Sequence, residues 1–368
     1  MCSLRHLDTS QQHRTHARRH RAARSVAVAT WPLDRKTVTL AREIFRALAE
    51  GGVQSGEALA ETAGVTRSAV WKAIEQLREM GLSIEAQTNR GYRLVSPCEA
   101  LDAQRIRDAL TPSVRHSTVV QVEWEIDSTN GALLSAAPPT PGQFVVLFAE
   151  NQTGGRGRRG RVWRSALGDS LCFSMATSFE PLPRDLPALT LVVGACLRAA
   201  LQHCGGRDVA LKWPNDLVTP KMEKLGGILV ELRAEAGGPG HVVIGIGLNL
   251  RLSEETKKAI AETGTLPKDL ASQGVEVGVR NALAAEIIGR CIEGLTQFAR
   301  EGFAPFIESW RSADLLLNQA VRVLDGGGER EGIARGIDDQ GALQIETSPG
   351  QRISLIGGEL SVRREGKS

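Results

Sequence analysis

Residues 155 to 164 read Gly-Arg-Gly-Arg-Arg-Gly-Arg-Val-Trp-Arg, five arginines and an indole around three glycines. Arginine stays charged and presents planar donors that match phosphate and carboxylate oxygens. Glycine lets a backbone approach a ligand closely and take up positive φ. Such a loop suits the holding of a polyanion against something flat. From the residues alone that anion is a small phosphorylated ligand or a nucleic-acid backbone; a disordered Arg/Gly tract or a solvated basic loop are the plainer alternatives. The flanks argue for a built site. Residues 142–150 and 171–175 are both apolar runs of strand length, so the loop is clamped between two core strands.

Three further segments carry chemistry. Lys212-Trp213-Pro214-Asn215-Asp216 puts a cation, an amide and a carboxylate together where Pro214 interrupts a strand, although Asn-Asp after proline is ordinary turn chemistry. Lys224-Leu-Gly-Gly-Ile-Leu-Val-Glu231 carries a lysine into a buried strand, either as a site residue or as a strand-end lysine reaching for water. Gly245-Ile-Gly-Leu-Asn249 removes side chains from one strand face, which leaves a slot for a flat ligand or marks a bulge.

The elements that must position these residues follow from periodicity. In residues 37–97, helical spacing over 39–49, a second helix over 56–62 after Ser55, a Gly64 turn, and a third helix from Thr66 to about Met80 precede an alternating hairpin over 83–95 with its turn at Asn89-Arg90-Gly91. That order predicts a winged helix-turn-helix. Its seven basic residues match its seven acidic ones, yet no acid falls between Arg67 and Lys72 or between Gln87 and Val95. Arg67, Ser68, Trp71, Lys72 and Arg90 are therefore the candidate DNA contacts; a protein-interaction module is the alternative.

Residues 104–316 read as an α/β unit whose hairpin-length connections predict a mixed, largely antiparallel sheet. Strands are expected at 121–126, 209–213, 227–233 and 242–250, and helices at 188–203, 283–300 and 303–315. Residues 317–368 alternate between Gly-rich turns and predict a small five-stranded barrel. Residues 1–36 are basic, lack the apolar core of a secretory signal, and are expected to form a disordered extension.

The chain has 368 residues, 42% hydrophobic and 24% charged, with a formal net charge of +3. That is an ordinary soluble composition, and the global charge points neither toward nor away from nucleic acid. No apolar run is read as a membrane span. The six cysteines, at 2, 98, 172, 196, 204 and 291, show no metal or CxxC spacing, which favours reduced thiols and the cytoplasm.

In this order, Gln152 with the Gly155-Arg156-Gly157-Arg158 loop, Lys212 to Asp216, Lys224 to Glu231 and Gly245 to Asn249 resemble the motifs of biotin protein ligases. With the winged helix in front, residues 37 to 365 are similar to the bifunctional bacterial ligases that also repress the biotin operon. The resemblance implies a central domain like those of class II aminoacyl-tRNA synthetases and an SH3-like C-terminal barrel. It also implies a two-step reaction: biotin and MgATP give biotinyl-5′-adenylate, and biotin passes to a lysine of the biotin carboxyl carrier protein of acetyl-CoA carboxylase. By the same resemblance, Ser128, Thr129, Asn130 and Gln152 contact biotin, while Arg156, Gly157 and Arg158 wrap the carboxylate and phosphates. Lys224 is the principal catalytic cation, with Arg158 and Asp216 beside it. Asn215 and Asp216 help hold Mg²⁺ or nucleotide, Lys212, Asn249 and Trp163 lie near the nucleotide, and Gly245 and Gly247 floor the biotin slot. Operator DNA is the second partner, and an adenylate-induced homodimer paired through sheet edges is expected. The alternatives are a ligase without repressor activity, a transcription factor that only senses the adenylate, and a lipoate-type ligase. Residues 251–274, where the family closes a loop over the adenylate, carry Lys257, Lys258 and Lys268 but no tryptophan.

Overall fold

Ala41, Ile44, Phe45 and Leu48 form the buried stripe of α1 (Val38–Ala49), the first element of the computed structural model, which describes residues 38–234, 239–325, 328–356 and 361–364. The extension expected at residues 1–36 lies outside the described residues. Ser55 caps α2 (Gly56–Ala63), and Gly64 closes it with φ 64°. Thr66 caps α3 (Arg67–Glu79), which buries Val70, Ala73, Ile74 and Leu77. The hairpin of β1 (Ile84–Gln87) and β2 (Gly91–Leu94) turns through Asn89 at φ 59°, and completes the expected winged helix.

The winged helix does not stand apart. Its core includes two side chains from the next domain, Trp124 and Leu167. Phe45 and Trp124 rings are 5.7 Å apart, and Leu167 N–H donates to the Met80 carbonyl at 3.0 Å.

The following domain begins with α4 (Ala103–Ala109) and α5 (Pro112–His116) and is built on a seven-stranded sheet. Its elements are β3 (Thr118–Ile126), α6 (Thr129–Ser135), β4 (Phe144–Gln152), β5 (Ser170–Phe179), α7 (Leu189–His203), β6 (Ala210–Lys212), β7 (Asp216–Val218), β8 (Lys224–Ala234), β9 (Gly240–Asn249), α8 (Glu254–Ala261), α9 (Arg280–Glu301) and α10 (Ile307–Arg311). Strand order is β3-β4-β5-β9-β8-β7-β6, and β3–β4 is its one parallel pair. Alternate residues point to opposite faces. Phe148, Phe173, Ile244 and Ile246 face the main core with α7 and α9; Leu147, Ala176 and Val243 face α6. Two expectations need correction. The helix expected over 303–315 is a 3-10 turn at 304–306 followed by the five-residue α10, and β7 was not foreseen. Residues 186–203 are also long and apolar enough to cross a membrane by length and composition, contrary to the reading that no such run exists. Ten residues of α7 are buried, and a long core helix meets the same criterion.

The linker between these units is pinned by a buried ion pair. Arg280 Nη1, at the start of α9, lies 2.7 Å from Glu150 on β4, and both side chains are almost fully buried. Glu150 also accepts from Leu101 N–H at 2.6 Å, and Arg280 donates to the Glu99 carbonyl.

The last strands, β10 (Ala320–Asp325), β11 (Gly328–Ile337), β12 (Leu343–Ser348), β13 (Gln351–Leu355) and β14 (Ser361–Arg364), form an antiparallel sheet in the order β13-β12-β11-β10-β14. These pairings make the small five-stranded antiparallel domain expected at this end of the chain. Val321, Val323, Leu343 and Ile345 join the central core.

Candidate active site

Asp216 opens β7 directly opposite Lys212, the last residue of β6, so residues 213–215 form the turn of a short hairpin. The motif is thus a turn, and its residues also line a cavity. Trp213 is buried and its indole N–H donates to the Gly341 carbonyl of the C-terminal sheet at 3.1 Å. Asn215 Nδ2 donates to the Ile228 carbonyl on β8 at 2.9 Å, which leaves its Oδ1 to accept from Arg158 at 3.3 Å. One side chain therefore ties the arginine loop to the turn. Lys224, the first residue of β8, donates from Nζ to Asp216 Oδ1 at 2.7 Å. The two side chains keep 26% and 21% of their exposure, enough to be reached by a ligand.

The arginine loop is an ordered hairpin, not a tract. Arg156 pairs with Val162, Gly157 N–H donates to the Arg161 carbonyl, and Trp163 N–H donates to the Gly155 carbonyl. The positive φ falls on Arg159 and Gly160. Burial lowers the Arg158 pKa first and Arg159 lowers it further, with Asp216 opposing both. The crowding of arginines is thus partly relieved by the carboxylate across the cavity. Arg156 makes only a 3.6 Å, mostly exposed contact with Asp127.

Behind the loop lies a polar strip. Ser128 caps α6 by accepting from Gly131 N–H. Gln152 Oε1, at the end of β4, accepts from Thr129 N–H at 2.9 Å. Thr129 and Ser174 hydroxyls are 2.7 Å apart, Ser174 donates to Asn130 Oδ1 at 2.5 Å, and Asn130 Nδ2 donates to Glu231 at 2.7 Å. Ser174 and Glu231 were not among the residues expected from sequence. No sequence pattern marks Ser174; only its pairing with Gly245 puts it on that glycine's face.

A cavity of about 730 Å³ joins these parts. Every ligand residue expected from sequence lines it: Ser128, Thr129, Asn130, Gln152, Arg156, Gly157, Arg158, Trp163, Lys212, Asn215, Asp216, Lys224, Gly245, Gly247 and Asn249. The glycines need a corrected reason. A Cβ on Gly245 would lie 2.3 Å from Asn130 Oδ1, and one on Gly247 would lie 2.5 Å from the Trp163 ring. They make room first for two of the protein's own side chains, which in turn face the cavity. Trp163 thereby comes under Lys224, whose Nζ is 5.9 Å from the ring centre. Asn249 is buried, and its Nδ2 bonds the Lys224 and Lys268 carbonyls, each at 3.0 Å. It ties the Lys224 backbone to the segment after α8. Ile260 of α8 and residues 263–266 after it line the cavity, while Lys257, Lys258 and Lys268 stay off it. Cys172 lies beneath the site, and burial pushes its thiol pKa up, which removes it as a nucleophile.

The DNA candidates lie elsewhere. Arg67, Ser68, Trp71, Lys72 and Arg90 are all exposed, Trp71 by 54%. Glu75 and Glu85 are each paired with an arginine, Arg78 and Arg93, so these acids are neutralised close to that face.

The pattern of the biotin/lipoate A/B protein ligase family matches residues 124–249, that of the biotin protein ligase C-terminal domain residues 316–363, and that of a helix-turn-helix domain residues 41–93. The bifunctional ligase/repressor BirA of Escherichia coli is 36% identical over 328 residues, spanning 89% of this chain and 98% of that protein. The biotin–[acetyl-CoA-carboxylase] ligase of Mycobacterium tuberculosis is 32% identical over 266 residues, 71% of this chain and 95% of its own. Among solved structures, a biotin protein ligase from Aquifex aeolicus in complex with biotin and ATP superposes with a TM-score of 0.56 at 27% identity, covering 67% of this chain and 99% of that one. Identity and coverage of this extent, over all three parts, mean that the chain belongs to the biotin protein ligase family, with the helix-turn-helix architecture of its bifunctional BirA members.

Proposed function

We propose that the protein is a biotin–[biotin carboxyl carrier protein] ligase that activates biotin with ATP and also represses transcription of biotin-synthesis genes when it holds the adenylate. The observation that carries the reading is the Lys224–Asp216 pair, which shares one cavity with the arginine hairpin.

In the first step the biotin carboxylate attacks the α-phosphate of ATP, an O–P bond forms, and pyrophosphate leaves with its electron pair. Two anions must meet, so fixed cations and donors are the main requirement. Arg156, Arg158 and the Gly157 backbone enclose the carboxylate and phosphates. Lys224 sits at the reacting carboxylate and α-phosphate and offsets the charge that builds there. Ser128, Thr129, Asn130 and Gln152 hold the other end of biotin, and Lys212, Asn215, Trp163 and Asn249 hold the nucleotide. In the second step the carrier lysine amine attacks the acyl carbon, the C–N bond forms, and AMP leaves. The attacking groups belong to the substrates, in keeping with a site whose buried thiol is unreactive.

Asp216, the one carboxylate among the described residues that line the cavity, suits Mg²⁺, which keeps several waters and binds through one or two carboxylates plus substrate phosphates. When bound, the ion would screen phosphate charge. Residues 37–97 serve operator DNA through Arg67, Ser68, Trp71, Lys72 and Arg90, residues 104–316 carry the chemistry, and residues 317–368 cap it. β6 is covered by residues 313–315, so among the described residues β3 is the edge of the large sheet without a strand partner, which suits an adenylate-dependent homodimer.

The deciding assay is incubation with labelled biotin, ATP and a carrier domain, with and without Mg²⁺. Labelled carrier that depends on ATP is expected; a carrier left unlabelled would sink the assignment. Operator binding with and without biotin plus ATP tests repression separately, and binding indifferent to both removes the corepressor role.

A further inference from the structure

Glu231 lies four residues beyond Gly227 on β8, on the face shared with Gly227 and Leu229, because Gly227 pairs with Gly247, Leu229 with Gly245 and Glu231 with Val243. It ends the polar strip that begins at Gln152. A carboxylate offers acceptors only, so it dictates which atom of its neighbour faces it. Asn130 turns Nδ2 toward Glu231, at 2.7 Å, with a longer 3.4 Å bond to the Leu229 carbonyl, and therefore Oδ1 toward Ser174, at 2.5 Å. Ser174 has one hydroxyl proton, and Asn130 Oδ1 takes it. Thr129 Oγ1 has two acceptors within reach of its one proton, Ser174 Oγ at 2.7 Å and Gln152 Oε1 at 3.1 Å, and the shorter contact runs with Thr129 as donor. At the far end Gln152 Oε1 accepts from the Thr129 backbone, so its Nε2 is turned away from the strip.

The Glu231 carboxylate thus supplies the shortest acceptor at the end of the strip, reinforced by the Leu229 carbonyl. Thr129 gives to Ser174, Ser174 gives to Asn130, and Asn130 gives to Glu231. With their protons committed, Thr129 and Ser174 have only oxygen lone pairs left for a ligand, while Gln152 has N–H donors left. Thr129, Asn130 and Ser174 are all buried residues of the cavity wall, where an unmatched polar group is costly.

We infer that Glu231 is a positioning and specificity-determining residue: it orders the Thr129–Ser174–Asn130 strip as a row of acceptors and so selects a ligand head that offers N–H donors beside a carbonyl, as a cyclic urea does. The inference rests on the reading that this cavity takes biotin. A site built to pair a ligand N–H discriminates strongly against a ligand that lacks it.

The test compares full-length parent, Glu231→Leu and Glu231→Gln. Steady-state carrier labelling gives KM for biotin and for ATP, and calorimetry reads biotin binding without nucleotide. A third measurement is selectivity between biotin and an analogue with one ureido N–H replaced by oxygen. Loss of one ordered hydrogen-bond row is expected to raise the biotin KM of Glu231→Leu about tenfold, with the ATP KM unchanged. The same variant should lose most of the selectivity against the oxygen analogue. Glu231→Gln, whose amide oxygen can accept from Asn130, is expected to recover most of both. Parental biotin KM and selectivity in Glu231→Leu would overturn the inference. Equal losses for biotin and ATP would overturn it too, since they mark a general structural defect. A parent that binds biotin in the calorimeter but labels no carrier would refute the proposed ligation and leave the Glu231 comparison readable from binding alone.

Discussion

Lys224 and Asp216 show how little of a site one residue carries by itself. As sequence, Lys224 was as well explained by a strand end reaching water; as structure, it faces a carboxylate at 2.7 Å and an indole ring. Replacing it by methionine should keep the fold and cut carrier labelling by about 10²- to 10³-fold, the usual cost of removing one charge-stabilising donor. Undiminished labelling would remove it from the mechanism. Arg158→Ala should shorten adenylate retention by about tenfold to a hundredfold, read as the rate at which labelled adenylate leaves the protein. Most residues that line the cavity were legible because their types and spacing are unusual. Ser174 was not, since a serine in an apolar strand has no distinguishing pattern until strand pairing puts it beside Gly245.

At the level of elements, periodicity located most helices and strands because each buries one face. It missed β7, whose three residues are too short to show alternation, and overextended α10, where an apolar run packs as two short turns. Tertiary pinning was illegible. Glu150 and Arg280 are 130 residues apart in sequence, yet pair in the core. Removing one partner of such a pair leaves a buried charge, so Arg280→Ala should cost about 3 to 5 kcal/mol in urea unfolding. Arg280→Met with Glu150→Leu should cost much less, and equal losses would contradict a pinning role for the pair. A second test concerns Asp314, whose neighbours Ala313 and Leu315 pair with Leu211 on β6. Burial raises its pKa from 3.8 to about 6. The neutral form is the one the fold favours, so Asp314 adds stability below its unfolded pKa and loses it as pH rises through the folded value. Between about pH 4 and 6 the parent should lose about 2 kcal/mol relative to Asp314→Asn. A gap between the two that does not change with pH would refute it.

For the whole molecule, domain order was plain from the sequence, but the packing between domains was not, because no periodicity marks a residue that enters a neighbour's core. If the winged helix grips operator DNA, Arg67→Ala, Lys72→Ala and Arg90→Ala should each weaken binding and lower the salt slope by about 1 for each phosphate that goes unneutralised. An unchanged salt slope in all three would assign the domain to a protein partner. Trp124 and Leu167 belong to that domain's core while sitting on the strand and loop that lead to the ligand cavity. Their consequence is genetic: a substitution at either position is pleiotropic, exposing transcriptional control and metabolism to selection together, so the two traits of this chain cannot drift apart through those sites.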